Sequence, residues 1–227
     1  IESNFAPGNY GGWADISASP WLYHLFKGER TINGTLDPRL YWTIGTYETD
    51  WADFEYGNVA YTQTLTATDN IVTNNTYGGL PIAKFTNLRT GLYSTVTTGL
   101  HDGINLRLMR YSDVLLRAAE CENEVNGPTQ QAIDWINQVR ERAGAKALSG
   151  AATVETVLDE RARELCGEYV RFYDLKRTGK LTSTYLKSTN PDVGQYFVDG
   201  KHEVRPFPQS FLENLEEGGG YYQNPGY

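Results

Sequence analysis

The chain has 227 residues, of which 40% are hydrophobic and 21% are charged, and its formal net charge is −8. This length supports one core of ordinary size or two small ones, and the hydrophobic content is too high for a disordered chain. The excess of acids argues against a nucleic-acid partner, because binding to phosphates requires a basic surface. The composition therefore predicts a folded, globular chain.

The first segment, residues 1–61, is rich in aromatic side chains. It holds 13 of the 29 aromatic residues and four of the five tryptophans, among many glycine, asparagine, aspartate and threonine residues. Such a composition is typical of loops that carry short helices or strands. Residues 62–105 continue with threonine, asparagine and glycine and predict only short β pieces.

From residue 106 onwards the pattern becomes helical. Apolar residues recur at three- and four-residue steps, which predicts a first helix over about 106–125 that is buried on most sides. Asn126-Gly127-Pro128 ends this helix, and a second helix is expected over about 129–143. Because the connection is so short, the two helices should pack antiparallel, as in a tetratricopeptide-type hairpin.

A third helix is predicted over about 153–174, with Thr153 as its N-cap. The expected fold is therefore mainly α, with long irregular loops and minor β structure, arranged as a single domain over residues 1–227. The three parts of that domain are a loop-rich aromatic region at 1–105, a helical region at 106–180 and an irregular C-terminal tail at 181–227.

The charges of the helices point to tertiary ion pairs. Arginines precede glutamates along the first helix, which opposes the helix dipole. We therefore expect Arg110 or Arg117 to pair with an acid of the third-helix segment. The candidate acids are Glu160, Glu164, Glu168 and Asp174. The four-residue spacing of the glutamates could alternatively supply the carboxylate pair of a glycosidase. Structural ion pairing is the favoured interpretation, because each glutamate has an arginine within reach.

Motifs for catalysis and metal binding are missing from the sequence. It contains no GxSxG elbow, GxxxxGK loop, CxxC or HExxH motif, so no catalytic residue, cofactor or metal is predicted. Four acids lie close enough in the sequence to suggest a calcium site: Glu48, Asp50, Asp53 and Glu55. Their spacing is not that of an EF-hand, so a solvated loop is favoured. Cys121 and Cys166 are interpreted as small buried hydrophobes rather than a disulfide.

Aromatic loops are the strongest functional signal in the sequence. Flat aromatic rings cover the apolar faces of sugars with little loss of entropy, while polar neighbours bind hydroxyl groups. The alternative is that such aromatics pack beneath long loops, as we expect for Trp21 and Trp135. Residues 11–15 and 41–56 are expected to form a shallow aromatic cradle on one face. The candidate ligand-binding residues are Trp13, Trp42, Tyr47, Trp51 and Tyr56.

Six blocks of sequence occur in a recognisable order. They are Asp37–Leu40, Arg110–Glu124, Ala132–Gly144, Glu160–Gly179, Pro206–Pro208 and Gln223–Tyr227. Together they resemble the motifs of the SusD/RagB-like family, with Phe207 in place of the usual isoleucine. The resemblance implies a mostly α-helical fold with tetratricopeptide-like hairpins and an irregular ligand-facing region.

The resemblance also implies a function. Members of this family are surface-exposed lipoproteins of Bacteroidetes-type outer membranes that bind oligosaccharides, or peptides in some branches. They act with a SusC-type TonB-dependent transporter in glycan uptake. The family's long N-terminal half, which carries the lipid-modified cysteine, has no counterpart here. We therefore expect this chain to lack its own lipid anchor and to associate with that missing half or with itself.

The sequence thus favours an oligosaccharide-binding protein at the outer membrane that is not an enzyme. Three alternatives stay open. The chain could be a protein-interaction scaffold whose aromatic loops only pack, a peptide-binding branch of the same family, or a glycoside hydrolase.

Overall fold

The computed structural model describes most of the chain. The described residues are 2–5, 15–45, 55–56, 59–60, 80–86, 104–105, 107–213 and 222–227. The chain divides into two compact units, Ile1–Arg171 and Phe172–Tyr227, which we describe separately. The single-domain arrangement stays a prediction. None of the helices in the described ranges is both long and apolar enough to cross a bilayer.

The first unit is mainly helical, as the sequence predicts. Its elements are α1 Glu2–Phe5, β1 Ser17–Ala18, α2 Pro20–Lys27, α3 Pro38–Thr43, β2 Glu55–Tyr56, β3 Val59–Ala60, β4 Leu80–Pro81, α4 Tyr111–Asn126, α5 Gln130–Arg142 and α6 Val154–Glu164. The short strands form two antiparallel pairs, β1 with β4 and β2 with β3. A further helix, α7 Arg171–Arg177, spans the boundary with the second unit.

The hairpin of α4 and α5 is confirmed, but α4 begins at Tyr111 and not near residue 106 as predicted. Gly127 adopts φ 75°, a conformation that favours glycine, and ends α4 where the sequence predicts. Thr129 then caps α5, because its hydroxyl accepts a hydrogen bond from the Ala132 amide at 3.3 Å. Only three residues separate the helices, so they run antiparallel, and α6 packs against both of them.

The third helix is shorter than predicted. It begins after the expected N-cap, Thr153, which forms a capping box with Thr156, but it ends at Glu164 instead of continuing to residue 174. Gly167 and Tyr169 have φ values of 74° and 60°, so the backbone leaves the helical path. The helical pattern of apolar residues continues through this turn, which is why the sequence did not reveal the break.

Two apolar cores flank α6. The first core contains Phe5, Ala18, Leu22, Tyr23, Phe26, Leu40, Ile44, Leu80, Ile82 and Ala162. The second core contains Leu115, Leu116, Ala119, Ala132, Ile133, Ile136, Val139, Ala152 and Val157. Since α6 supplies Ala162 to one core and Val157 to the other, this helix lies between them. Trp21 and Trp135 pack against the first and the second core, respectively, as expected.

One face of α4 is open, which corrects the expectation that this helix is buried on most sides. Five apolar residues on it follow a spacing of three, four, three and four residues: Tyr111, Val114, Ala118, Cys121 and Val125. We call this set the α4 stripe. Tyr111 is 70% exposed and Val125 is 78% exposed. The prediction of a buried Cys121 is therefore also wrong, because its thiol lies on the exposed side of an amphipathic helix.

The second unit contains more helix than the predicted irregular tail. Its helices are α8 Ser183–Thr189, α9 Pro191–Gly194 and α10 Gln209–Glu213. Asp199 fixes the start of α8 by accepting hydrogen bonds from the Ser183 amide at 2.6 Å and hydroxyl at 2.7 Å. Gly194 packs so tightly that a Cβ atom there would overlap the backbone nitrogen of Lys187.

The C-terminal residues hold the proline-rich segment of the second unit. The Gln223 side chain accepts a hydrogen bond from the Phe207 amide at 2.7 Å and donates one to the Phe207 carbonyl at 3.0 Å. The Tyr227 hydroxyl donates to the Val204 carbonyl at 3.1 Å. The two terminal sequence blocks therefore contact each other.

Candidate functional site

A cavity of about 270 Å³ lies in the first unit, where α3, α6, the end of α5 and the segment before α4 converge. Its lining is dominated by cations. The lining residues are Arg39, Trp42, Thr43, Lys84, Arg107, Arg110, Arg142, Arg163 and Glu164. We refer to this site as the arginine cavity.

Helix α3 brings Arg39 and Trp42 to the cavity. Asp37 is the N-cap of this helix and accepts a hydrogen bond from the Arg39 amide at 2.9 Å, while Pro38 occupies the first turn, where its missing N–H does no harm. The Asp37 carboxylate also holds the Arg39 guanidinium at 2.7 Å. Trp42, one turn after Pro38, is 55% exposed at the cavity.

Glu164, at the end of α6, joins three arginines. Its carboxylate lies 3.0 Å from Arg39 Nη1 and 2.8 Å from Arg142 Nη2, and it accepts a further hydrogen bond from Arg110. The Glu164 backbone carbonyl accepts hydrogen bonds from Arg110 Nη2 at 2.6 Å and from Lys84 Nζ at 3.0 Å. These cations satisfy a carbonyl at the C-terminus of the helix, where positive charge is favourable.

Glu160 lies one turn earlier and is fully buried. Its carboxylate accepts hydrogen bonds from Arg39 at 2.6 Å, Arg140 at 2.8 Å and Arg163 at 3.0 Å. The three arginines are needed to stabilise the buried Glu160 carboxylate, because an unpaired charge in the protein interior destabilises the fold.

The predicted pairing of Arg110 is confirmed. Besides Glu164, Arg110 contacts Glu168 at 2.8 Å, and Glu168 also contacts Lys84 at 2.6 Å. Arg117 instead pairs with Asp113 of its own helix at 3.0 Å. The arginine at the start of α4 is therefore the one that finds a tertiary partner, and it lies against the end of α6.

The arginines keep these glutamates ionised. Burial alone would raise the pKa of Glu164, but the hydrogen bond and charge of Arg110, with the charges of Arg39 and Arg142, lower it to about 2. The pKa values of Glu160 and Glu168 are also lowered, for the same balance of burial and nearby cations. A glycosidase needs a general acid that still holds its proton at the working pH. The lowered pKa values of the three glutamates disfavour this protonated state.

The predicted ligand residues fall partly outside the described chain. Trp42 lines the arginine cavity, and Tyr56 lies in β2, opposite Val59 of β3. Trp13, Tyr47 and Trp51 lie outside the described residues, so the aromatic cradle stays a prediction. Of the four acids considered for calcium, only Glu55 is described, and it belongs to β2.

Sequence reasoning missed the cationic lining of the cavity. The residues that provide it come from distant segments and meet only in the folded chain. They are Arg39, Lys84, Arg107, Arg142 and Arg163. The Asp-Pro-Arg-Leu block is the one local signal for this lining, because Asp37 and Pro38 are typical of the start of a helix, and that helix carries Arg39.

A second cavity of about 390 Å³ lies between α2 and α6. Its lining mixes acidic, basic and apolar residues and includes no tryptophan: His24, Leu25, Gly28, Glu29, Leu148, Glu155, Thr156, Asp159 and Arg163. Within the described ranges, no group of three or more His, Cys, Asp or Glu side chains is arranged to hold a metal ion.

Comparison with known proteins identifies the fold and the relatives of the chain. The profile of the SusD family matches residues 1–227. SusD-like protein P25 of Formosa agariphila is 49% identical over 120 residues, which cover 50% of this chain and 22% of that protein. SusD-like protein P2 of the same organism is 34% identical over 143 residues, covering 57% of this chain and 27% of that protein.

Two solved structures share the fold. A SusD superfamily protein from Bacteroides vulgatus is 26% identical, with a TM-score of 0.71, and the match covers 94% of this chain and 45% of that one. A laminarin-binding SusD-like protein is 28% identical, with a TM-score of 0.64, covering 100% of this chain and 41% of that one. The chain therefore spans less than half of each of these structures and about a quarter of the two curated relatives.

Proposed function

The chain belongs to the SusD family, and from that premise we propose that it is a glycan-binding protein that uses the arginine cavity and the exposed ring of Trp42. The position of Trp42 carries this proposal. A tryptophan that is 55% exposed at the mouth of a cavity offers a flat apolar surface to a sugar ring.

The surroundings of Trp42 complete such a site. Glycans present hydroxyl groups around the apolar face of each ring, and the cavity is lined by guanidinium groups that donate hydrogen bonds to oxygen. The laminarin-binding relative supports a carbohydrate as the ligand class. The arginine pairing of Glu160, Glu164 and Glu168 supports binding rather than hydrolysis.

Membership of the family also supports a place in glycan uptake. We propose that the chain acts at the cell surface of the outer membrane, beside a TonB-dependent transporter of the SusC type. Co-purification of such a transporter with the tagged protein from solubilised membranes would test this partnership.

The α4 stripe supports a second contact. Apolar residues that alternate at three- and four-residue spacing match the seam along which two helices pack. We propose that the stripe packs against a helix of the same protein from outside residues 1–227, because more than half of each structural neighbour has no counterpart in this chain. Self-association through the stripe is the alternative.

Isothermal titration calorimetry with laminarihexaose and a panel of plant, host and storage oligosaccharides tests the glycan site. We expect Trp42→Ala to weaken binding by about 1–3 kcal/mol, the range for truncating an aromatic anchor, without loss of fold. Tyr222→Ala is the matched control, since Tyr222 is 82% exposed and does not line the cavity. Equal affinities for wild type and Trp42→Ala would refute this site, and no binding to any glycan would favour the scaffold alternative.

A further inference from the structure

The charge of the arginine cavity is opposite to that of the whole chain. The chain carries a net charge of −8, yet six of the nine residues that line the cavity are cations and one is an anion. Neutral sugars need hydrogen-bond donors and acceptors but no net charge. The excess of cations at this site therefore requires an explanation of its own.

Ion pairing accounts for most of these charges but leaves a surplus. One connected cluster contains five carboxylates, those of Glu29, Asp37, Glu160, Glu164 and Glu168. It contains six cations, those of Arg39, Lys84, Arg110, Arg140, Arg142 and Arg163. Among the described residues, six positive against five negative charges leave an excess of one, and Arg107 at the cavity raises this excess to two.

The surplus faces the solvent. The carboxylates at the centre of the cluster are almost fully buried, with side-chain exposures of 0% for Glu160 and 2% for Glu164. Arg142 is 63% exposed, and Arg107 is exposed as well. In the described part of the chain no carboxylate pairs with Arg107. Among the described residues, the anions therefore lie inside the cluster, whereas Arg107 and Arg142 carry positive charge at the mouth of the cavity.

The two exposed arginines keep most of their donors available. Arg142 uses one of its guanidinium N–H groups to reach Glu164 at 2.8 Å. The planar guanidinium carries five N–H donors in a geometry that matches carboxylates and sulfates. Ionised partners of this kind form hydrogen bonds about twice as strong as neutral ones.

We propose that the glycan bound in the arginine cavity is acidic, with a carboxylate or sulfate group held by Arg107 and Arg142 next to a sugar ring stacked on Trp42. This inference rests on the proposed glycan-binding function and names its ligand class. The acidic group supplies the negative charge that the cluster lacks. The cationic lining of the cavity in turn offsets the repulsion that an anionic ligand meets from the rest of this acidic chain.

Three probes of matched length test the inference by calorimetry: hexagalacturonate for carboxylate, a sulfated carrageenan oligosaccharide for sulfate esters, and neutral laminarihexaose. One acidic probe should bind at least tenfold more tightly than the neutral one at 20 mM NaCl. The preference should shrink at 500 mM NaCl, because salt screens exposed charges. The stronger acidic probe identifies the anionic group.

Variants separate local recognition from general charge. The double variant Arg107→Gln, Arg142→Gln should lower the affinity for the preferred acidic probe about tenfold, towards that of the neutral probe. Lys146→Gln removes one exposed positive charge outside the cavity and should leave the acidic preference unchanged.

The outcomes distinguish this inference from the proposed function. Binding of laminarihexaose as tight as that of both acidic probes would overturn the acidic ligand while leaving glycan binding intact. An acidic preference that survives the double variant would also overturn it. Failure of all three probes, together with every other glycan of the panel, would refute the proposed function itself.

Discussion

Arg39 Nη1 lies 2.6 Å from Glu160 Oε1, although 121 residues separate the two in the sequence. The same guanidinium contacts Asp37 before α3 and Glu164 at the end of α6. One side chain thus joins the helix that carries Trp42 to the helix that lies between both cores. The position of the proposed sugar platform therefore depends on buried ion pairs as well as on apolar packing.

Removal of the Glu160 carboxylate should destabilise the first unit strongly. Glu160→Ala leaves Arg39, Arg140 and Arg163 without a shared buried partner, and breaking such a pair costs about 3–5 kcal/mol. Urea unfolding followed by tryptophan fluorescence measures the loss. Glu124→Ala, at an exposed position of α4, is the control and should change stability by less than about 0.5 kcal/mol. A loss below about 1 kcal/mol at Glu160 would mean that the pairs behave as exposed ones.

Stability should fall in acid because of Glu164. Its pKa is lowered from 4.5 to about 2 in the folded chain, so its ionised form stabilises the fold above pH 4.5. That contribution is lost as the pH falls from 4.5 towards 2. Urea unfolding at pH 6, 4 and 3 should therefore give decreasing free energies of unfolding. The Glu164→Gln variant should be less stable at pH 6, and its free energy of unfolding should depend less steeply on pH. The same pH dependence in variant and wild type would contradict the lowered pKa of Glu164.

Gly194→Ala should destabilise the second unit. The added Cβ would overlap the backbone nitrogen of Lys187, so α8 and α9 would have to move apart. Overpacking of this kind costs about 1–3 kcal/mol or more. Limited proteolysis should show faster cleavage within residues 172–227. Gly28→Ala, where a Cβ meets nothing closer than 3.7 Å, should leave cleavage unchanged; equal rates for both variants would refute the tight packing.

Two tryptophans should separate binding from folding. Trp135 packs against the second core, so Trp135→Ala should lower the melting temperature and leave glycan affinity per folded molecule unchanged. Trp51, in the predicted aromatic cradle, should behave in the opposite way, with a loss of affinity of about 1–3 kcal/mol and no loss of stability. Thermal melts and calorimetry on both variants measure this contrast. A destabilised Trp51→Ala with normal affinity would place Trp51 in a core instead.

The accessibility of Cys121 reports on the α4 stripe. In residues 1–227 its thiol is exposed and should react readily with iodoacetamide. In a longer version of the protein that supplies the proposed partner helix, labelling should slow at least tenfold. Cys166 is an internal control, because it is half-buried and its surroundings raise its pKa to about 11, so its labelling should be slow and equal in both proteins. Equal labelling rates of Cys121 in the short and the long protein would refute the partner helix. Protection of Cys121 that increases with protein concentration would indicate self-association.

Local signals in the sequence predicted much of the helical region. Gly127 and Thr153 mark helix boundaries through backbone conformation and capping, which depend on neighbouring residues alone. The charge order along α4 also predicted a tertiary partner for Arg110 or Arg117, and Arg110 is the one that has it. In contrast, the turn after Glu164 has Gly167 at a point where an added Cβ atom would meet the rings of Phe85 at 3.2 Å and Phe5 at 3.4 Å, and both rings come from distant segments.

The candidate site was less predictable than the fold. Aromatic density identified Trp42, but the exposed α4 stripe and the cationic cavity both depend on which surfaces other segments cover. Arg107 and Arg142 are separated along the chain by the whole α4–α5 hairpin. Because that hairpin folds back on itself, its two ends meet at one place, and the residues beside each end share a cavity.

The three arginines that share the Glu164 carboxylate affect which positions of this group can vary in sequence. Arg39 and Arg110 each have a second carboxylate partner, whereas Glu164 is the one carboxylate that Arg142 contacts among the described residues. Replacing Arg142 therefore leaves Glu164, Arg39 and Arg110 paired. Replacing Glu164 affects three cations at once. Natural variants should therefore accumulate at position 142 and be rare at position 164, and the mouth of the cavity can acquire new ligand preferences while its buried framework stays fixed.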